Sequence, residues 1–348
     1  NGKVAWCVTH GFADIHDVYV ERFDSGARHA LFQDSWEPVR RRTETIAIRG
    51  EDIVAVVPDA AAGRFQAELT HDASGRFVMP GLWDMHVHFG GGTALIEENG
   101  ELFPLYVANG VVAVRDAAGD LSQQVLDWRD APPTPNGPRL FTSGPKIEGI
   151  DPLWKGVIET GSEADVDAAL DRLQALNVDF VKITDNTLKP ELFLYAVREA
   201  KKRGIRTSAH IPMSLTVLEA AEAGLSSIEH LDYAMKAGSR DEAAIAADYL
   251  AGRYTYAQTM ARYADSFDPE TARRVYRRLA ELGVAVTPTL YGSTVLTWLD
   301  RDDHSQDPEL AYVGPGIRAT YDWRVQRAAQ ATPEMVAAVV KLMSNMDL

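Results

Sequence analysis

The chain has 348 residues, of which 46% are hydrophobic and 24% are charged, the composition of an ordinary globular protein that can bury a large core. Its formal net charge of −15 would repel a phosphate backbone, which argues against a nucleic acid partner. No stretch approaches the roughly 18 consecutive apolar residues of a membrane span, and the single cysteine, Cys7, excludes an internal disulfide and a cysteine-based metal cluster.

The chain opens Asn1-Gly2-Lys3 without a methionine, so we expect the natural start to lie upstream. Any signal peptide would have been lost with that start. The compartment is therefore left open between the cytoplasm and, after removal of such a peptide, the periplasm or the cell exterior.

Residues 1–76 are expected to form a small, partial β-sandwich-like domain. Two β-branched runs, 46–48 and 53–57, flank the polar residues 49–52, a pattern typical of a β-hairpin. Aromatic residues scattered among polar ones before this hairpin indicate further strands of a small sheet.

From residue 77 the pattern alternates between short β-branched runs and helical periodicity, which predicts βα units and a parallel sheet over 77–348. Ser162 and Asp165 predict a helix N-terminus, Pro190 a second one, and Gly204 and Gly224 two helix ends. Seven strands can be placed, at 78–89, 111–115, 139–143, 180–184, 206–210, 227–230 and 284–290. The last helical pattern, 333–343, leads to Asp347, where a barrel of eight units would need one more strand.

Four of the nine histidines stand where predicted strands end. His86 and His88 are two residues apart on the first strand and so share a face, while His210 and His230 end the fifth and sixth strands. Any one of them could be a structural histidine bonded to a backbone carbonyl. Together, at the carboxyl ends of parallel strands where barrels carry their chemistry, they predict a metal site with histidine and oxygen ligands.

Lys182 lies inside the fourth predicted strand, on the same face as Phe180 and Thr184. The ordinary interpretation is a lysine that extends toward solvent or pairs with Asp185. A buried lysine, however, shifts its pKa readily, and a neutral amine could be carboxylated by carbon dioxide. The carbamate would offer one oxygen to each of two metal ions.

Seven short motifs, spread over nearly the whole chain, resemble the amidohydrolase superfamily of metal-dependent hydrolases, and within it the prolidase-like dipeptidases and carboxypeptidases. They are P-G-L-W-D-M-H-V-H at 80–88, V-V-A-V-R-D at 111–116, G-P-R-L-F-T-S-G-P at 137–145, D-F-V-K-I at 179–183, A-H-I at 209–211, I-E-H-L at 228–231 and V-T-P-T-L at 286–290.

This resemblance implies a TIM-type (β/α)8 barrel with a small N-terminal β domain. It implies a metallopeptidase-like site for two divalent ions, zinc being the first choice. His86 and His88 would hold one ion, His210 and His230 the other, and carboxylated Lys182 would bridge them.

One element of the superfamily pattern is missing. Members end the eighth strand with an aspartate that ligates the first metal and moves the proton of the attacking water, and these 348 residues contain neither that strand nor that general base. We expect the sequence to be an incomplete version of a longer chain, the alternative being a natural degenerate member.

The resemblance predicts hydrolysis of an amide bond next to a free carboxylate, as in a dipeptide, an N-acyl amino acid or an ochratoxin-type amide, by a homo-oligomeric enzyme. Tyr233 and Tyr291 are candidates for binding that carboxylate. Two alternatives stay open: a lactonase or phosphotriesterase-like hydrolase that uses the same site, and a non-catalytic barrel used for binding or assembly.

Overall fold

The computed structural model describes residues 22–25, 28–32, 35–38, 44–49, 52–73, 76, 78–89, 93–118, 123–132, 136–152, 156–289, 307–330, 332–333, 336–337 and 340–341. The chain divides into two compact units, Asn1–Pro80 and Gly81–Leu348. Among the described helices, none has the length and apolar composition needed to cross a membrane.

The first unit contains two small antiparallel sheets. The strands β1 (Arg22–Phe23), β2 (His29–Phe32) and β3 (Ser35–Pro38) form one, and β4 (Glu44–Arg49) and β5 (Asp52–Pro58) form the other, before a 3-10 helix at Asp59–Arg64. The pair β4–β5 confirms the predicted hairpin, with Ile46 opposite Val56.

The second unit has an α/β fold whose strands pair in parallel, as the alternating pattern predicted. One sheet has the order β6 (Leu82–Val87), β7 (Val111–Asp116), β8 (Arg139–Thr142). The other contains β9 (Ile147–Glu148), β10 (Ile158–Glu159), β11 (Val181–Ile183), β12 (Thr207–Ala209), β13 (Ser227–Glu229) and β14 (Ala285–Thr287), in the order β10-β9-β11-β12-β13-β14.

Each of the seven predicted runs overlaps a strand. Among the described strands of this unit, only the two-residue strands β9 and β10 were not predicted.

Two hydrogen bonds join Thr142 of β8 to Asp179, which lies two residues before β11. The Asp179 amide donates to the Thr142 carbonyl at 3.0 Å, and the Asp179 carboxylate accepts from the Thr142 amide at 2.8 Å. An eighth barrel strand is not found in the described part of the chain, and the predicted end of the seventh run, Leu290, lies outside it.

Helices separate most of the strands. They are α1 (Thr93–Glu101), α2 (Phe103–Ala108), α3 (Gln123–Asp130), α4 (Glu163–Ala175), α5 (Pro190–Lys202), α6 (Val217–Ala223), α7 (Leu231–Met235), α8 (Glu242–Leu250), α9 (Tyr256–Asp265), α10 (Pro269–Glu281) and α11 (Pro315–Ala328). The predicted signals hold: Ser162 caps α4 by accepting from the Asp165 amide, and Gly224 ends α6 at φ +118°. The predicted pattern 333–343 is described only in part.

The main core lies between the larger sheet and its helices. Val181 and Ile183 of β11 pack in one buried cluster with Leu170 of α4 and Phe193 of α5. Burial of these apolar side chains fixes the strands, at roughly 25 cal/mol for each Å² removed from water. Polar residues that follow the strands are thereby held at one edge of the sheet.

Candidate metal centre

His86 and His88 come together at the end of β6. His86 is the penultimate residue of the strand and His88 follows its last residue. Their Nε2 atoms lie 3.1 Å apart. The shared face predicted from the two-residue spacing is what brings both rings to one point.

His210 and His230 form a second pair. Each follows a strand, β12 and β13, and their Nε2 atoms also lie 3.1 Å apart. The ring centroids of His86 and His230 are 4.5 Å apart, so the two pairs adjoin. The four histidines predicted from their strand-end positions thus lie in one cluster.

The opposite ring nitrogens have oxygen partners. His86 Nδ1 lies 2.5 Å from Glu229 Oε2, and His230 Nδ1 lies 2.8 Å from Thr289 Oγ1. His210 Nδ1 lies 3.6 Å from Asp185 Oδ1. Such partners orient an imidazole and leave Nε2 for another ligand.

Backbone conformation brings the last residue of β13 and the residue after it into this cluster. His230 has φ +61°, a left-handed value that is uncommon for a residue with a side chain. The alternation of the strand ends there, so Glu229 and His230 both reach the histidine cluster.

Lys182 lies inside β11 with 1% of its surface exposed. Its Nζ has no hydrogen-bond partner among the described residues. Burial lowers the pKa of this amine to about 7, against the opposing attraction of the Glu229 carboxylate. A large share of the amine is then neutral near pH 7, the form that reacts with carbon dioxide.

The histidines are held in the neutral form. Burial lowers the pKa of His86, lowers that of His210 well below its ordinary value, and lowers that of His230 to about 3. Neutral imidazole is the form that binds metal.

This donor set fits two divalent ions. A tetrahedral zinc ion with ligands at about 2.0–2.1 Å separates neighbouring ligand nitrogens by roughly 3.3 Å, close to the 3.1 Å of each pair. No three His, Cys, Asp or Glu side chains within the described ranges converge on a single ion site. Each pair would therefore need another ligand, and a carbamate on Lys182 would provide one oxygen for each.

The two tyrosines predicted to bind substrate have different outcomes. Tyr233 stacks on His210, with ring centroids 5.0 Å apart and 12° between the planes, and its hydroxyl donates to Asp185 Oδ1 at 3.2 Å. A substrate carboxylate would compete with Asp185 for that hydroxyl. Tyr291 lies outside the described residues. Both roles stay predictions.

The sequence analysis gave no functional role to Glu229 or Arg115. Glu229 is fully buried, its carboxylate accepts from the Arg115 guanidinium, and its Oε2 lies beside His86 Nδ1. The available signal was a charged residue inside the short apolar run I-E-H-L, because a buried carboxylate requires partners.

Comparisons with known proteins give different results for the two parts of the chain. A penicillin amidase family model matches residues 1–79. The penicillin acylase 2 proenzyme of Pseudomonas sp. (strain SE83) is 56% identical over 50 residues, which is 14% of this chain and 6% of that protein. This match falls on the segment predicted to be the small β domain of an amidohydrolase, and that domain assignment stays a prediction.

Solved structures match most of the chain. Bottromycin amidohydrolase is 17% identical with a TM-score of 0.56, over 88% of this chain and 60% of that protein. A crystallised protein described as uncharacterized is 18% identical with a TM-score of 0.50, over 87% of this chain and 70% of its own. At these identities the likeness shows a shared fold alone. The chain spans 60% of the length of bottromycin amidohydrolase.

Proposed function

We propose that this chain belongs to a binuclear metal-dependent hydrolase that cleaves an amide bond. The observation that supports this most is the pair of facing Nε2 atoms, repeated at 3.1 Å, beside a buried lysine amine without a partner among the described residues. The fold shared with an amidohydrolase supports the same reaction class. The (β/α)8 barrel architecture belongs to this proposal.

In this proposal His86 and His88 would hold one ion, and His210 and His230 would hold the other. The Lys182 amine would attack carbon dioxide, form an N–C bond and release one proton, and the resulting carbamate would offer one oxygen to each ion. When bound, the two ions, for which zinc is our choice, supply a hydroxide near neutral pH and polarise a carbonyl oxygen.

The remaining residues orient these donors. Glu229 and Thr289 hold Nδ1 of His86 and His230, so both rings present Nε2. Tyr233 keeps the ring of His210 in place by stacking. Burial of Lys182 keeps its amine available for carboxylation by lowering its pKa.

The proposed substrate is an amide next to a free carboxylate: a dipeptide or an N-acyl amino acid, including an ochratoxin-type amide. Tyr233 and Tyr291 are the proposed contacts for that carboxylate, which would make the enzyme carboxypeptidase-like.

The test compares rates on an N-acyl phenylalanine, a lactone and an aryl phosphotriester, after incubation with zinc and bicarbonate. We expect the amide to be hydrolysed fastest and a chelator to abolish the reaction. A faster lactone or phosphotriester reaction would select the alternative hydrolase. Zinc binding without turnover of any of the three would favour the binding module.

A further inference from the structure

Glu229 has an unusually complete set of partners. Its Oε1 accepts from the Ser208 hydroxyl at 2.6 Å, from the Ser227 hydroxyl at 2.9 Å and from the Arg115 guanidinium. Its Oε2 lies 2.5 Å from His86 Nδ1. The carboxylate is 0% exposed, so these groups replace water around it.

Three donors converge on Oε1 of Glu229, which leaves Oε2 as the oxygen that contacts the His86 ring. An ionised carboxylate only accepts hydrogen bonds. In a neutral His86 ring, the single ring proton must lie on Nδ1 for the contact with Oε2 to be a hydrogen bond. Nε2 of His86 is left with its lone pair directed toward Nε2 of His88.

Arg115 extends this restraint to the backbone. While one guanidinium nitrogen donates to Glu229, Nε donates to the Met85 carbonyl at 2.9 Å. Met85 immediately precedes His86 on β6, so the ion pair is anchored next to the histidine that Glu229 orients. Arg115 also balances the buried negative charge of Glu229, which would be unfavourable without a cationic partner.

We propose that Glu229, held by Arg115, Ser208 and Ser227, is the positioning residue that selects the Nδ1–H tautomer of His86 and so makes Nε2 a metal ligand. This inference rests on the proposed function for its consequence, metal binding, but not for the tautomer itself. Glu229 has no contact with His210 or His230 among the described hydrogen bonds. Its substitution should therefore weaken the binding of one ion only, the one proposed for His86.

The variant Glu229→Gln gives a directional test. Three donors converge on Oε1 and would retain the single amide oxygen there, so the amide NH2 would face His86. It would donate to Nδ1, and the ring proton would move to Nε2, where it blocks metal binding.

The first measurement is the tautomer of His86 in the metal-free full chain at pH 8, from long-range 1H–15N correlations of 15N-histidine, assigned by their loss in His86→Asn. We expect Nδ1–H in the wild type and Nε2–H in Glu229→Gln. An unchanged tautomer in the variant would overturn the proposal. If Glu229→Gln does not fold, Glu229→Asp retracts the carboxylate from His86 while keeping its charge, and should also lose the Nδ1–H preference.

The second measurement is zinc affinity by competition with a fluorescent chelator. Removal of a residue that orients a metal-binding histidine typically lowers metal affinity 10–100-fold. In Glu229→Gln we expect zinc affinity to fall by that order at one of the two sites. Glu148→Gln is the matched control, because Glu148 is equally buried but accepts from Asn186 and backbone amides.

The outcomes separate the two proposals. Wild-type affinity for both ions in Glu229→Gln would overturn the positioning role, and so would an equal loss in Glu148→Gln. A wild-type chain that binds no zinc would overturn the proposed function, while the tautomer measurement would still decide the role of Glu229.

Discussion

His210 and His230 face each other through their Nε2 atoms, 3.1 Å apart, although 20 residues separate them in the chain. Both imidazoles are neutral because burial lowers their pKa values. Two neutral rings in this orientation can share one proton or one metal ion. The same distance between His86 and His88 makes the second interpretation the stronger one.

Two buried lysines should respond in opposite ways to replacement by methionine. Lys182 and Lys236 are both 1% exposed or less. Lys236 Nζ donates to the carbonyls of Pro212 at 2.7 Å and Leu215 at 2.8 Å, whereas Lys182 Nζ has no such partner in the described part of the chain. In metal-free protein, Lys182→Met should raise the free energy of unfolding by about 1–3 kcal/mol.

Lys236→Met is the matched comparison, and it should lower the free energy of unfolding by about 2–4 kcal/mol because it leaves buried carbonyls unpaired. Urea unfolding of both variants without metal measures the difference. Destabilisation by Lys182→Met as large as that by Lys236→Met would show that the Lys182 amine has a partner in the folded chain.

Glu242 should make stability depend on pH. Burial raises the pKa of this carboxyl above its ordinary value of 4.5, against the opposing attraction of Lys236. The folded chain therefore holds the proton more tightly than the unfolded chain, so this carboxyl's contribution is fully present below pH 4.5 and is lost as pH rises through the higher, folded value.

Glu242→Gln replaces the titrating carboxyl with an amide, so the variant should not lose this stability as the pH rises. Between pH 5 and 7 the free energy of unfolding of the wild type should fall more steeply than that of the variant, by up to about 1.4 kcal/mol per pH unit. Urea unfolding at pH 5, 6 and 7 measures both slopes. Asp241→Asn, at an exposed neighbour, serves as control, and parallel slopes for wild type and Glu242→Gln would contradict the prediction.

Gly149 should tolerate no side chain. A Cβ at this position would lie 2.2 Å from the Thr187 carbonyl oxygen, which is backbone and cannot rotate away. Gly149→Ala should cost about 3 kcal/mol of stability. At Gly161 the nearest neighbour of a Cβ would be the flexible Ile150 side chain, at 3.2 Å, so Gly161→Ala should cost much less. Equal unfolding midpoints for the two variants would refute this account of the turn.

The sequence predicts the positions of the site histidines well because strand periodicity is a local property. His86 and His88 meet as their two-residue spacing requires, and His210 and His230 stand where β12 and β13 end. The parallel order of the strands follows from the alternation with helices. These features depend on few neighbours and can be deduced without coordinates.

Glu229 could not be predicted in the same way. Alternation places it on the opposite face from His230, and only the left-handed φ of +61° at His230 lets both side chains reach the cluster. Its partners Arg115 and Ser208 come from other strands. Positive φ at a histidine and contacts between strands distant in the chain are tertiary properties that no local pattern encodes.

The measurement that tests the two-metal account most directly is the zinc content of the purified full chain and of Lys182→Ala. The wild type should carry up to two equivalents, and Lys182→Ala should lose most of them because each histidine pair loses its shared third ligand. His86→Ala should behave similarly, and His71→Ala, at an exposed position outside the cluster, should not. Full zinc content in both Lys182→Ala and His86→Ala would contradict the account.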